Sequence, residues 1–198
     1  MMDAVPVWRL TRTRCGRALW NALTNRGIRI SRLRLYRTEA FDVPVPSLSP
    51  DLSLAVDRGA DRDSDTIEAP IAPDDWIVRV ETIEGTVGSV VLSIDRQVTV
   101  EPIDTTLQFD GGYIWALYVT PAYRRRGIAS ALVAQAAALA AAETGACLAL
   151  VAPDNRPSQL VFEGLGFAVE GSLSHVRLPG FEWTSSLDGL VGVQPVES

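Results

Sequence analysis

Residues Gly112–Thr144 read GYIWALYVTPAYRRRGIASALVAQAAALAAAET, and the fold follows from how this stretch divides. Tyr113–Val119 is a run of aromatic and branched side chains, the composition of a strand, and Thr120-Pro121 stops it. After five more residues Gly127 opens an alanine-rich segment in which Ile128, Leu132, Gln135, Ala136 and Leu139 recur at helical spacing. The reading is strand, short loop, helix. The first turn of a helix has N–H groups without intrahelical acceptors and carries the positive end of the helix dipole. Here Arg124, Arg125, Arg126, Gly127, Ile128, Ala129 and Ser130 surround those groups with small side chains and positive charge, which suits an anion. The turn has neither the GxxxxGK[ST] of nucleotide hydrolases nor the spaced glycines of a dinucleotide fold. Amides from about Arg125 to Ser130 can wrap a pyrophosphate, with arginines at the rim. An ordinary cationic loop before an ordinary helix is the alternative.

Outward from this unit, Trp76–Ile83 and Thr86–Ile94 read as strands joined at Glu84-Gly85, and Gln97–Phe109 as an intervening excursion. Downstream, Ala146–Ala152 is an apolar strand ended by Pro153, of the kind covered on both faces. Asn155-Arg156-Pro157-Ser158 begins a second helix running to Gly164, Pro157 being tolerated in its first turn. Two strands follow near Ala168–Gly171 and Ser174–Leu178, then a weakly patterned tail, Gly180–Ser198. At the other end, Cys15–Arg26 reads as a helix stopped by Gly27, and Ile28–Tyr36 alternates apolar residues with Arg and Ser as a strand with one wet face. Asp42–Pro73, rich in Pro, Ser and Asp, reads as a long loop with one short piece around Leu52–Val56, either a lid over a ligand site or a surface excursion. The expected architecture is one α/β (α+β) layer fold, a mixed central sheet flanked by helices. Residues 1–40 form a basic helix and first strand of that domain, 41–178 its body, and 179–198 a tail.

Bulk composition limits the function classes. The chain has 198 residues, 47% of them hydrophobic, and a mean hydropathy of +0.13, as expected of a folded soluble domain. All 18 basic residues are arginine. Residues 1–40 carry nine of them against Asp3 and Glu39, whereas the remainder carries nine against 22 acids. The field of the body therefore repels nucleic acid and mildly favours a cationic acceptor. The basic arm is read as surface that meets water or the acidic body, a dedicated anionic partner being the alternative. Cys15 and Cys147 have no metal or redox spacing, and no signal-type apolar core is seen near the N-terminus, so a reducing cytoplasm is expected. Neither a membrane span nor a metal site is expected.

Residues 113–167 resemble the acyl-CoA-binding core of the GCN5-related N-acetyltransferase superfamily. The family's pyrophosphate loop has Arg or Gln, two variable residues, Gly, one variable residue, and Gly or Ala; Arg124, Gly127 and Ala129 fit it. Asn155, followed by Ser158, Leu160, Phe162, Glu163, Gly164, Leu165, Gly166 and Phe167, resembles the second cofactor-contacting segment, an Asn before a helix that ends in a Tyr-Glu-x-x-Gly-Phe pattern. The resemblance implies direct transfer of an acyl group, acetyl in most relatives, from CoA to an amine of a small molecule or protein N-terminus. It also implies that the strand before the loop and the strand after the long helix splay apart to admit the pantetheine arm. Leu117, Tyr118 and Val119 would offer backbone groups to that arm, the N–H of Tyr118 or Val119 would polarise the thioester carbonyl, and Asn155, Ser158 and Phe162 would line the cofactor.

Two departures weaken the catalytic set. Phe162 stands where many relatives have a tyrosine acid, so the shape is kept and the proton is missing. The strand Tyr113–Val119 lacks the glutamate base of several relatives. Tyr118 and His175, the one histidine, are the replacements put forward, with Glu81, Asp110 and Asp154 as further options. Trp76, Trp115 and Trp183 read as core or groove-wall aromatics, and Cys147 as a small buried side chain. A non-catalytic acyl-CoA-binding or regulatory module is the alternative to an enzyme, and a homodimer is compatible with either.

Overall fold

Period-two alternation produces most of the molecule. The structure, a computed structural model, describes residues 29–39, 45–61, 70–100, 103, 105–178, 181–184 and 192–196. The strands are β1 (Arg29–Thr38), β2 (Ser53–Arg58), β3 (Trp76–Thr82), β4 (Gly85–Ile94), β5 (Gln97–Val100), β6 (Thr105–Phe109), β7 (Gly112–Val119), β8 (Cys147–Val151), β9 (Ala168–Leu178), β10 (Phe181–Thr184) and β11 (Val193–Pro195). The helices are α1 (Ile128–Glu143) and α2 (Arg156–Gly164). Eight strands form one mixed sheet in the order β10-β9-β1-β8-β7-β4-β3-β2, and three form a second sheet, β11-β6-β5. Among the described residues only β7 and β8 pair in parallel, joined by the α1 crossover that such a pair requires. The mixed sheet with flanking helices is the architecture the sequence predicts.

The long helix lies against one face of the large sheet. Ile128, Leu132, Val133 and a row of alanines are buried there with Val78, Val80, Val90, Leu92 and Ile114. Small residues set how near it comes: a Cβ on Gly112 would sit 2.6 Å from the Cβ of Ala140, so this strand start has room only for hydrogen. Each Leu, Ile or Val buried on this face contributes roughly 1.5–3 kcal/mol. On the opposite face Leu33, Leu35, Tyr113, Leu148 and Leu173 meet Val98, Val100, Leu107, Phe109 and Val193 of the small sheet and Ile103 of its β5–β6 turn. The Phe109 and Tyr113 rings stack 3.8 Å apart. The small sheet thus roofs one end of this face.

Three parts of the chain differ from the sequence reading. The Gln97–Phe109 excursion is a β-hairpin, Val98 and Val100 pairing with Leu107 and Thr105. The two strands expected after Phe167 are one, β9, which continues through Gly171 with a register shift opposite Leu35 and Tyr36. The tail holds two strands: β10 extends the large sheet beside β9, and β11 closes the small sheet on β6. The first strand of the basic arm is an interior strand, antiparallel to β8 on one side and β9 on the other. The Cys15–Arg26 helix lies outside the described residues, as does the centre of the Asp42–Pro73 loop, whose Leu52–Val56 piece corresponds to β2.

Candidate functional site

The pairing of β7 with β8 stops early. It covers Gly112↔Cys147, Tyr113↔Leu148 and Ile114↔Ala149, and β7 runs five residues further with no β8 partner. A bulge causes the divergence. Val91 pairs with Trp115 and Ser89 with Tyr118, so Ala116 and Leu117 together oppose Val90 alone, and Ala116 takes a left-handed φ of +51°. An extra residue of this kind bends and twists its strand. Meanwhile β8 stays with β1 as far as Val151↔Arg34, and a slot opens between β7 and β8.

Which backbone groups look into the slot follows from alternation. The N–H of Thr120 donates to Val87 O at 2.9 Å, on the β4 side, and Tyr118 shares that orientation because it lies two residues away. Leu117 and Val119 therefore turn their N–H and C=O groups to the slot. The Val119 carbonyl is already occupied, accepting from Arg124 Nε at 3.0 Å. The side chains alternate too: Leu117 and Val119 pack into the helix-side core, while Tyr118 is 53% exposed on the other face.

Beyond the strand, one 3-10 turn, Pro121–Tyr123, leads into the arginine triplet. Arg125 has φ +62° and Gly127 φ +78°, two left-handed residues that double the chain back to start α1. The first helical bond runs from Ala131 N–H to Gly127 O at 3.0 Å, so the amides of Ile128, Ala129 and Ser130 have no intrahelical acceptor. Among the described residues no side chain caps them, and no acidic residue stands in the first turn. The positive helix end is thus neither capped nor neutralised. The three arginines differ: Arg124 braces Val119, Arg126 reaches Asp51 at 3.7 Å and lies over the Tyr123 ring at 5.3 Å, and Arg125 is exposed with no ion pair among the described residues.

On the β8 side, Asn155 is the N-cap of α2, its Oδ1 accepting from Ser158 N–H at 3.3 Å. Phe162 is 3% exposed, with the Tyr36 ring 5.8 Å away and the Phe167 ring edge-on at 5.1 Å. Tyr36 was not a sequence candidate. It comes from β1, donates to Glu163 Oε1 at 3.1 Å, and its pKa is raised, mainly by desolvation. Its partners lie more than 120 residues along the chain, which no local pattern reveals.

The remaining candidates are dispersed. His175, 1% exposed, sits in β9 opposite Ser31 and Thr184, with β1 and β8 between it and β7. Three strand spacings put it roughly 14 Å from that strand. Glu81 pairs with Arg79 at 3.4 Å, Asp110 accepts from Gln194 at 3.3 Å, and Asp154 is exposed in the turn before α2. Cys147 is fully buried and its thiol is pushed up to about 12 by desolvation, so it is no nucleophile at neutral pH. Of the tryptophans, Trp76 lies under the Arg58 guanidinium, Trp115 donates to Ser93 at 2.9 Å, and Trp183 stands half exposed on the edge strand. Among the described residues no cluster of His, Cys, Asp and Glu could hold a metal, and no helix is long and apolar enough to cross a membrane.

Comparison with known proteins bears on this geometry. The model of the acetyltransferase (GNAT) family matches residues 45–167, more than half of the chain. No curated protein matches the sequence. Among solved structures, a Drosophila protein superposes with a TM-score of 0.55 at 15% identity, over 83% of this chain and 57% of its own. A GCN5-related N-acetyltransferase from Kribbella flavida gives 0.53 at 21% identity, over 83% and 65%. A GCN5-related N-acetyltransferase-like protein from Streptococcus suis gives 0.51 at 12% identity, over 82% and 67%. The chain thus spans between about half and two thirds of those relatives' length, and the likeness is one of fold.

Proposed function

The chain belongs to the acetyltransferase (GNAT) family, and on that premise we propose that it transfers an acyl group, acetyl first among candidates, from CoA directly to an amine of a small molecule or a protein N-terminus. The observation that carries the reading is the bulge-opened slot between β7 and β8, with an uncapped, cation-rimmed helix start at the same end of the sheet. The diphosphate of CoA is assigned to the amides of Gly127, Ile128, Ala129 and Ser130, with Arg125 free to meet it and Arg124 and Arg126 shaping the rim. The pantetheine arm is assigned to the slot, against Leu117 and Val119 on one side and Asn155, Ser158 and Phe162 on the other.

The chemistry then asks three things of the chain. The thioester carbonyl needs a donor, and the Val119 N–H, turned to the slot, fits better than that of Tyr118, which is turned to β4. The amine must arrive neutral, from the face opposite the helices, since α1 fills the helix side. The departing thiolate needs a proton. Phe162 has none, and the Tyr118 phenol, beside the slot and half exposed, is a better-placed acid than the buried His175. Solvent water completes the relay if Tyr118 does not.

Phe162 also favours a second reading, a module that holds acyl-CoA without turning it over. Acetyl-CoA titration followed by CoA-thiol release with a panel of primary amines separates the cases. Amine-dependent release is expected. Binding without release identifies the module, and absence of binding at millimolar acetyl-CoA removes the assignment altogether.

A further inference from the structure

The family match begins at residue 45, so β1 lies outside it, yet β1 is the strand on which β8 and α2 rest. The contact centres on Gln159 of α2, 2% exposed. Its Nε2 donates to the carbonyls of Ala152 at 3.0 Å and Pro153 at 2.9 Å, and its Oε1 accepts from Arg156 at 3.2 Å and from Arg34 of β1 at 3.5 Å. A glutamine amide has two donors and an acceptor with two lone pairs, and all four are used. Next to it, Arg156 and Tyr36 both donate to Glu163 Oε1 at 3.1 Å. Ala152 and Pro153 carry the chain out of β8 into the turn that ends at Asn155, so one amide group orients two consecutive peptide planes where β8 leaves the sheet.

We propose that Gln159, held by Arg34, is the positioning residue that sets the β8 side of the cofactor slot, so that CoA binding in this chain depends on a strand outside the family's matched segment. The inference rests on the function proposed above. The bulge at Ala116 sets the β7 side of the slot through the backbone; on the other side the ladder of β8 with β1 ends at Val151, and the Gln159 bonds hold the two peptides that follow it. An apolar side chain there leaves two carbonyls unpaired, and they seek water by moving. A displacement of about 1 Å at a binding wall is enough to be costly.

The test uses the 198-residue chain with Gln159→Met, Gln159→Glu and Arg34→Met, measuring CoA affinity by calorimetry, KM for acetyl-CoA and for the amine separately, and Tm. Gln159→Met is expected to weaken CoA about ten-fold, the size of one lost buried bond, and to raise the acetyl-CoA KM alike while the amine KM holds. Gln159→Glu keeps both arginine contacts but loses both donors, and it should behave like Gln159→Met. Arg34→Met should shift CoA affinity in the same direction by less, and by less again in the Gln159→Met background, where only its contact with Tyr36 is left to lose. A merely structural role lowers Tm and leaves CoA affinity within two-fold, and that result overturns the inference. Should Gln159→Met fail to fold, Arg34→Met decides by the same two-fold limit. A parent chain that binds no CoA overturns the functional reading itself, which is a different result from a parent that binds and variants that bind equally.

Discussion

Gly127 shows why a residue must be read by conformation as well as by space. A Cβ at this position would meet nothing within 4 Å, but φ is +78°, so the requirement is for a left-handed backbone. Gly127→Ala should cost about 1 kcal/mol of stability, read by urea unfolding, and Gly127→Asp less, because a carboxylate at the helix start offsets part of the backbone cost. Only the aspartate, which adds negative charge at the helix start, should abolish CoA binding; equal affinity in the two variants would remove the diphosphate from this seat. Phe162→Tyr puts a phenol into a site enclosed by Tyr36 and Phe167. CoA affinity should hold and CoA release should be unchanged or faster, and a large fall in affinity would mean that the added hydroxyl occupies space the cofactor needs. Cys147 makes a pH prediction. Burial keeps its proton on in the folded chain up to about 12, whereas an unfolded cysteine ionises near ~8.5. Its contribution is intact below ~8.5 and is lost as pH rises toward the folded value, at a limiting slope of about 1.4 kcal/mol per pH unit. Cys147→Ala should flatten the decline in unfolding free energy between about pH 8.5 and 9.5, below the region near ~10 where unfolded tyrosines ionise and Tyr36 and Tyr113, both raised in the folded chain, add a decline of their own.

At the scale of elements, the bulge and the α2 cap carry the site. Ala116 holds φ +51°, where a β-branched side chain is a severe misfit. Ala116→Val should destabilise by about 1–3 kcal/mol while Ala116→Gly is neutral or mildly stabilising, as measured by chemical denaturation. Equal stability would mean that the strand does not need its left-handed residue. Asn155 has two roles that substitution separates. Asn155→Ala should cost about 1 kcal/mol through the lost cap, whereas Asn155→Ser keeps the cap. If CoA affinity falls in both, the carboxamide touches the cofactor; if only in the alanine variant, Asn155 acts through the helix. These elements differ in how far the sequence reveals them. The β3–β4 hairpin, β7, α1 and α2 were legible because local alternation, helical spacing, Gly and Pro mark them within a few residues. The β5–β6 hairpin shows a period-two burial pattern, but four or five residues are too short to stand out beside a 33-residue strand and helix. The turn at Gly127 and the cap at Asn155 were legible for the same local reason. The bulge, the Gln159 bonds and Tyr36 depend on register between distant strands, and a chain read in order does not show register.

The whole molecule adds a constraint that none of its parts shows. Composition and pattern pointed to a mixed sheet, and the arm's first strand was readable as a strand, but its place was not: it fills the position between β8 and β9, contributing five pairs to one and nine to the other. Without it the large sheet divides into a β8-β7-β4-β3-β2 half and a β9-β10 half, each with an unpaired interior edge. Leu33 and Leu35 would leave the roofed core and Tyr36 the helix-side core. Edges of that kind invite pairing with other chains. A fragment of residues 45–198 keeps the matched family segment, both described helices and every described strand except β1, but it should show no cooperative thermal transition by circular dichroism and should aggregate. A synthetic peptide of residues 29–39, added in excess during refolding, should restore a cooperative transition, since every bond it makes is between chains in that experiment just as it is between remote segments here. If the fragment alone unfolds cooperatively and binds CoA like the full chain, β1 is an accessory, and the slot owes its shape to the family core and not to the strand that precedes it.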